Sequence, residues 1–321
     1  MKRNGEEDLE VIAEIARMYY LEGMTQAEIA RMFYFSKAKV SRALQTAREK
    51  NIVEFRINYP LKRSRMLENE LKRRFHLSEV LVVSDFREHQ DADIYLKRLG
   101  EMAASYLDEV LKDGDTIGVS WGRTLYQVVR ALNPSRPRRI EVLQLVGSAG
   151  ETYYNKGTDI VSLVQTMAQS FQGTYTLLYA PMYINSDVVR KELLREGIIS
   201  KTIEKICKAD YILTGIADIS LKKYGGTWAG YLTEEKKQEL VGKGAVGYMC
   251  GYFFDKKGNL LADPINEKLI GIPFEKVKNG PRVIAVAGGL DKTYAIYAAL
   301  RGKLIDCLIT DSRIAENLLQ L

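Results

Sequence analysis

Histidine and cysteine are scarce in this chain, two and three residues among 321, and each scarcity removes a class of chemistry. Cys207, Cys250 and Cys307 are odd in number, far apart and set in apolar surroundings, which fits buried thiols and argues against a disulfide framework or a zinc site. His76 and His89 both precede the glycine-rich turns described below and read as surface residues, so proton transfer at those turns would have to proceed without imidazole. No apolar run approaches the roughly 20 residues that cross a bilayer, and MKRNGEEDLE at the start lacks the apolar core of a signal peptide. A cytoplasmic protein without metal or cofactor is expected. Tracts rich in Pro, Gly and Ser are missing, as are internal repeats, and 46% hydrophobic with 27% charged residues is the composition of an ordinary folded protein.

Residues 25–51 read as two helices joined by a tight turn. Thr25 and Glu28 have the spacing of a capping box, and Ser36 is a good N-cap for a second helix starting at Lys37. Val40, Ala43, Leu44 and Ala47 fall on one helical stripe, while Lys37, Lys39, Ser41, Arg42 and Arg48 occupy other faces. In a helix-turn-helix the second helix enters the major groove by its N-terminal residues. The candidate DNA contacts are therefore Thr25, Gln26, Ser36, Lys37, Lys39, Ser41 and Arg42, with Arg42 able to bridge a guanine edge. The net charge of +6 is mild, yet residues 37–50 hold five basic groups against Glu49 alone. An ordinary helical hairpin with a solvated basic face is the competing reading. Two neighbours weigh against it: an apolar stripe through Leu9, Ile12, Ile15, Ala16 and Tyr19 supplies a third helix, and alternation over residues 52–57 predicts a strand or wing.

The length suggests a small domain followed by one of about 250 residues. The predicted division is a helix-turn-helix (winged-helix-like) domain over 1–58, a basic linker helix over 59–78 and a larger α/β domain over 79–321. In that third part strands at 80–83, 116–120, 140–146, 174–179, 211–216, 283–287 and 304–310 alternate with helices, which predicts a mostly parallel sheet covered on both faces. One interruption, residues 245–254, DKKG and 259–262, reads as a β-hairpin.

Open parallel sheets bind ligands beyond the carboxyl ends of their strands. Several strand ends here are glycine-rich, and they supply the candidate ligand residues: Ser120, Gly122, Arg123 and Thr124 after one strand, Gly147 and Ser148 after the next, Gly215 and Asp218 after a third, and Gly288, Gly289 and Lys292 after a fourth. A lysine in the first turn of a helix opposes the helix dipole, so Lys292 makes most sense with an anion bound beside it. Free amides at the Gly122 turn would cradle the same phosphate.

TQAEIA and SKAKVSRAL near the start, then GVSWGRTL, AVG with FFD and a following glycine, VIAVAGG with K, AI and AALRG, and LITD occur in this order. Together they closely resemble the SorC family of bacterial sugar-responsive transcriptional regulators, across nearly the whole chain. The resemblance implies DNA binding controlled by a phosphorylated sugar effector, an effector domain similar in fold to glucosamine-6-phosphate deaminase and ribose-5-phosphate isomerase, and a homotetramer or homodimer on a pseudo-palindromic double-stranded operator. It also implies that Gly122, Thr124, Gly288 and Lys292 lie on phosphate or sugar. Tyr248 stands where the family commonly has Asp, and residues 146–148 offer no lysine for a Schiff base. The alternative is a sugar-phosphate isomerase or deaminase with an accessory DNA-binding segment; the lack of histidine among the turns favours a regulator that is not an enzyme.

Overall fold

The computed structural model describes residues 4–53, 61–84, 92–149, 160–219, 228 and 231–321, with backbone alone at 4–8 and 92–93. The chain divides into two compact units, Met1–Pro60 and Leu61–Leu321.

The first unit contains α1 (Asn4–Tyr20), α2 (Gln26–Met32) and α3 (Lys37–Glu49). Gly23, with φ of 71°, turns the chain out of α1. The capping box then starts α2: the Thr25 amide donates to Glu28 Oε2 at 2.8 Å and the Glu28 amide to Thr25 Oγ1 at 3.3 Å. Ser36 Oγ accepts from the Lys39 amide at 3.2 Å and starts α3. Such caps contribute about 1 kcal/mol each. Ile15 and Ala16 of α1, Ile29 and Ala30 of α2, and Val40, Leu44 and Ala47 of α3 form the shared core. Ile52 and Val53 pack against it without forming a strand, and the rest of the expected wing lies outside the described residues.

The second unit begins with α4 (Arg65–Phe75), β1 (Glu79–Val83), α5 (Ala92–Val110), β2 (Thr116–Val119), α6 (Arg123–Ala131), β3 (Glu141–Gln144), α7 (Ile160–Phe171) and β4 (Thr174–Thr176). It continues with α8 (Asp187–Arg195), α9 (Gly197–Ile206), β5 (Tyr211–Thr214), β6 (Ala217–Asp218), α10 (Glu234–Gly242), β7 (Ala245–Met249) and β8 (Tyr252–Asp255). Then come α11 (Pro264–Glu267), α12 (Phe274–Asn279), β9 (Arg282–Val286), α13 (Thr293–Arg301), β10 (Cys307–Asp311) and α14 (Ser312–Gln320). Seven strands form one parallel sheet in the order β1-β10-β9-β5-β2-β3-β4. Their apolar runs, such as VLVV in β1 and VIAV in β9, are buried on both faces, as parallel sheets require. From β2 the chain moves outward through β3 and β4, then returns to the other side of β2 with β5 and continues through β9 and β10. The reversal between β2 and β5 opens a crevice at their carboxyl ends, because the connections there leave toward opposite faces.

Three expectations are corrected. The helix read as a linker belongs to the second unit: Leu67 and Leu71 of α4 are buried in its core. Its entry is also fixed, since the Ser64 amide donates to Val82 O at 3.0 Å and the nearly buried Glu68 carboxylate takes Arg63 at 2.7 and 3.0 Å and the Val82 amide at 3.0 Å. Residues 245–254 are not one strand: the chain turns first at Cys250-Gly251, between β7 and β8, and β6 joins them in a separate antiparallel sheet. Cys250 and Gly251 both have positive φ, 50° and 84°, which suits the twist of a two-residue hairpin. DKKG then turns the chain where expected: Phe254 and Leu260 form an antiparallel bridge, the Asp255 amide donates to Asn259 O and the Leu261 amide to Phe253 O, each at 2.9 Å, and Asp255 accepts from the Lys257 and Asn259 amides. The strand expected over 174–179 stops at Thr176, because the Leu178 amide leaves the ladder for Gln144 Oε1 at 3.3 Å.

Candidate functional site

On the first unit α3 exposes Ser36, Lys37, Lys39, Ser41 and Arg42 while Val40, Leu44 and Ala47 face inward. This separation leaves one basic, solvent-facing helix start. Lys39 Nζ sits 3.5 Å from the centroid of the Phe35 ring, a cation–π contact that holds the ammonium over the turn. Thr25 and Ser36, both named as candidate contacts, accept helix-start amides through their hydroxyl oxygens and so also set where the two helices begin. Sequence reasoning missed Tyr34. It is 96% exposed at the turn with φ of 53°, a conformation a bulky residue adopts at some cost, and the turn assignment alone gave no reason to single it out.

On the second unit the crevice between β2 and β5 is pinned from within: Ser120 Oγ donates to Thr214 Oγ1 at 3.0 Å, and the Ser120 amide to Leu213 O at 3.0 Å. Cys250 Sγ donates to the same threonine at 3.4 Å, and burial pushes its thiol up to about 11. Ser120 therefore latches two strands with its one hydroxyl proton, which leaves its oxygen as an acceptor.

Beyond it, Gly122 is the N-cap of α6 with φ of 143° and ψ of 166°, a backbone reserved for glycine. Among the described residues no side chain caps this helix, so the first-turn amides, beginning at Arg123 and Thr124, face outward unclaimed. Lys292 lies within electrostatic reach of Arg123 at this helix start. It closes the short turn Leu290–Lys292 before α13 and is half-buried. Desolvation holds its pKa below the usual lysine value, Arg123 pushes it further down, and Asp291 and Asp218 oppose the shift. Lys292, Arg123, Asp218 and Asp291 thus share one electrostatic neighbourhood. Asp218 is brought in by β6, which pairs Asp218 with Gly247 of β7. Gly247 makes the approach possible, since a Cβ there would come within 2.6 Å of both Ala217 O and the Ala295 Cβ of α13. Asp291 does not cap α13; Lys292 occupies that position with no side-chain cap.

Gly288 and Gly289 lie against Tyr95. A Cβ on Gly288 would fall 1.9 Å from the Tyr95 hydroxyl, which donates to the buried Asp311. These glycines therefore shape the turn that carries Lys292. Gly215 sits between β2 and β9 in open space, its added Cβ meeting only Val286 O at 3.8 Å. Gly147 and Ser148 do not join the site. The Gly147 amide donates to Ile270 O at 2.9 Å and the Ser148 amide to Ala180 O at 2.8 Å, Ser148 Oγ accepts from Gln144 at 3.2 Å, and a Cβ on Gly147 would stand 2.5 Å from Pro181 O. Glycine is there for close backbone packing. Tyr248, in place of the acid expected from the resemblance, is buried with its ring 5.3 Å from that of Phe253.

The arrangement suits a dianion: oriented amides at a helix start, one partly desolvated ammonium and an exposed guanidinium, with Asp218 able to accept from a hydroxyl beside it. Phosphate binding would favour the charged form of Lys292 and oppose the downward shift. Affinity is therefore expected to fall as pH rises through the depressed Lys292 pKa, and also to fall on the acid side as the phosphate loses its second charge near pH ~6. Calorimetric titration of a sugar phosphate across this range checks it; affinity constant up to the ordinary lysine pKa would show that Lys292 is not in contact.

The sequence model of the sugar-binding domain family (Sugar-bind) matches residues 59–320. The chain is 33% identical over 305 residues to the deoxyribonucleoside regulator of Bacillus subtilis (strain 168), covering 95% of this chain and 96% of the relative. It is 30% identical over 322 residues to the sorbitol operon regulator of Klebsiella pneumoniae, covering 98% and 99%. The crystal structure of that full-length regulator, SorC, superposes with a TM-score of 0.72 at 29% identity over 98% of this chain and 99% of the other. A DeoR family transcriptional regulator from Listeria monocytogenes matches 79% of this chain and 98% of its own, with a TM-score of 0.71 and 27% identity.

Proposed function

Because the chain belongs to the sugar-binding domain family of SorC-type, sugar-responsive transcriptional regulators, we propose that a phosphorylated sugar bound at the ends of β2, β5 and β9 sets its affinity for an operator. The observation that carries this reading is the meeting of Lys292 with the uncapped start of α6 at the sheet reversal. Lys292 supplies a point charge, the Arg123 and Thr124 amides supply oriented donors, and Asp218 takes a sugar hydroxyl. Gly122, Gly215, Gly288 and Gly289 shape the floor. No cofactor takes part. The protein acts as a regulator without turnover: among the described residues no histidine is part of the Lys292, Arg123, Asp218 and Asp291 neighbourhood, so imidazole is not at hand there for aldose–ketose proton transfer. Incubation with a panel of sugar phosphates tests this, and product formation would overturn it.

The basic, exposed start of α3 supports the reading of the DNA side. One helix-turn-helix reads a half-site, so a homodimer or homotetramer engages a pseudo-palindromic operator with symmetric copies of α3. Lengthening the half-site spacing by about half a helical turn, roughly 5 base pairs, should abolish specific binding; indifference to spacing would argue for independent single sites. Arg42→Ala should weaken specific operator binding by about 1 to 3 kcal/mol and relax the preference at one base pair. An equal loss on all sequences would assign Arg42 to phosphate.

A further inference from the structure

The chain has two tryptophans, and the indole N–H of each, Trp121 and Trp228, is buried without an acceptor among the described residues. An unsatisfied buried donor is a standing cost that a Phe of similar shape would not carry. Trp228 lies in an aromatic cluster with Tyr183, Tyr231 and Phe253. Trp121 is placed differently. It is 8% exposed and sits in the β2–α6 turn, directly between Ser120, which latches β2 to β5, and Gly122, the N-cap whose following amides are unclaimed. Its ring is part of the main core cluster while its backbone is fixed on both sides at the strand end, so the unpartnered donor is carried on the turn that forms the site.

We infer that the Trp121 indole N–H donates to an oxygen of the bound effector and so helps to select ligands that present an acceptor there. The inference rests on the sugar-phosphate reading of the site and adds a residue to it. Burial keeps water from competing for the donor, and the orphan cost carried by the empty protein is relieved on binding, which makes the contact discriminating. The acceptor is a sugar hydroxyl or a phosphate oxygen, two sources of one chemistry.

Trp121→Phe keeps the ring and removes the N–H. The full-length variant is expected to bind a responsive sugar phosphate about tenfold more weakly, with the unliganded protein at least as heat-stable as wild type. If inorganic phosphate competes equally well against both proteins, the lost acceptor is a sugar hydroxyl; if it too weakens, the acceptor is a phosphate oxygen. Wild-type affinity in the variant overturns the inference, as does a loss of affinity explained by a lower melting temperature without ligand. Trp228→Phe leaves Trp121 as the sole indole reporter, and its emission should change on saturation with the sugar phosphate; an unchanged spectrum also overturns the inference. Lys292→Ala is measured alongside. Weak binding there with normal binding in Trp121→Phe removes Trp121 and leaves the sugar-phosphate site standing, whereas normal binding in both removes the site itself.

Discussion

Lys292→Ala is expected to weaken sugar-phosphate binding by about a hundredfold, roughly 2.7 kcal/mol, while leaving effector-free operator affinity at the wild-type value. The size follows from the environment: the ammonium is half-buried and already partly desolvated, so its attraction for a dianion is less screened than that of a surface lysine. Removing it also leaves Asp218 and Asp291 facing the phosphate with Arg123 as the remaining cation of that neighbourhood. Thr124→Ala takes away one neutral donor and should cost about 1 kcal/mol. The operator is untouched because Lys292 lies in the Leu61–Leu321 unit and α3 in the other. By linkage, the effector can move operator affinity only as far as it binds two states of the protein differently, so the dose–response curve of Lys292→Ala should shift to higher effector concentration by the same factor. A curve superimposable on the wild type would mean that Lys292 is an ordinary helix-start lysine.

The second large effect is structural and bears on the same turn. Asp311 is fully buried, accepts from the Arg313 and Ile314 amides at 2.9 and 3.1 Å to cap α14, and accepts from the Tyr95 hydroxyl, against which Gly288 packs. Asp311→Ala removes a helix cap and strands three donors in the core. Loss of the cap at about 1 kcal/mol and of a buried acceptor at about 1 to 3 kcal/mol together predict a destabilisation of about 3 kcal/mol. Asp311→Asn keeps an oxygen of the same shape and should recover most of it. Urea unfolding of the full-length variants measures the difference; a loss below about 0.5 kcal/mol for the alanine variant, the range of ordinary surface changes, would show that this network does not hold the turn.

Much of this organisation was legible in the sequence because it is local. The Thr25–Glu28 box, the Ser36 cap and the apolar stripe of α3 depend on residues within one or two turns. Features decided by distant partners were not legible. The basic charges of α4 suggested a linker, yet Leu67 and Leu71 pack under β1 and α14, which lies at the other end of the chain. DKKG was legible as a turn because it is polar and ends in glycine, whereas the earlier turn through Cys250, in a left-handed conformation, is one that sequence does not advertise.

The candidate site divides along the same line. Strand-end glycines marked the crevice, but glycine looks alike whether it opens a helix start to a ligand, as at Gly122, or lets two backbones meet, as at Gly147. Only the partners at Ala180, Pro181 and Ile270, far along the chain, separate the two. Asp218 was chosen as the end of a strand, and its neighbourhood with Lys292 required the β6–β7 pairing that no short-range pattern encodes. Trp121 and Tyr95 escaped notice because aromatic residues near a turn ordinarily signify core.

Operator binding measured with and without a panel of sugar phosphates, each beside its unphosphorylated sugar, tests the central claim most directly. At least one phosphorylated sugar should shift the operator Kd of the full-length protein, its unphosphorylated counterpart should leave it unchanged at the same concentration, and Lys292→Ala should lose the shift. Equal shifts by the phosphorylated and unphosphorylated forms, or a full wild-type shift in Lys292→Ala, would contradict control through a phosphate held between Lys292 and the start of α6.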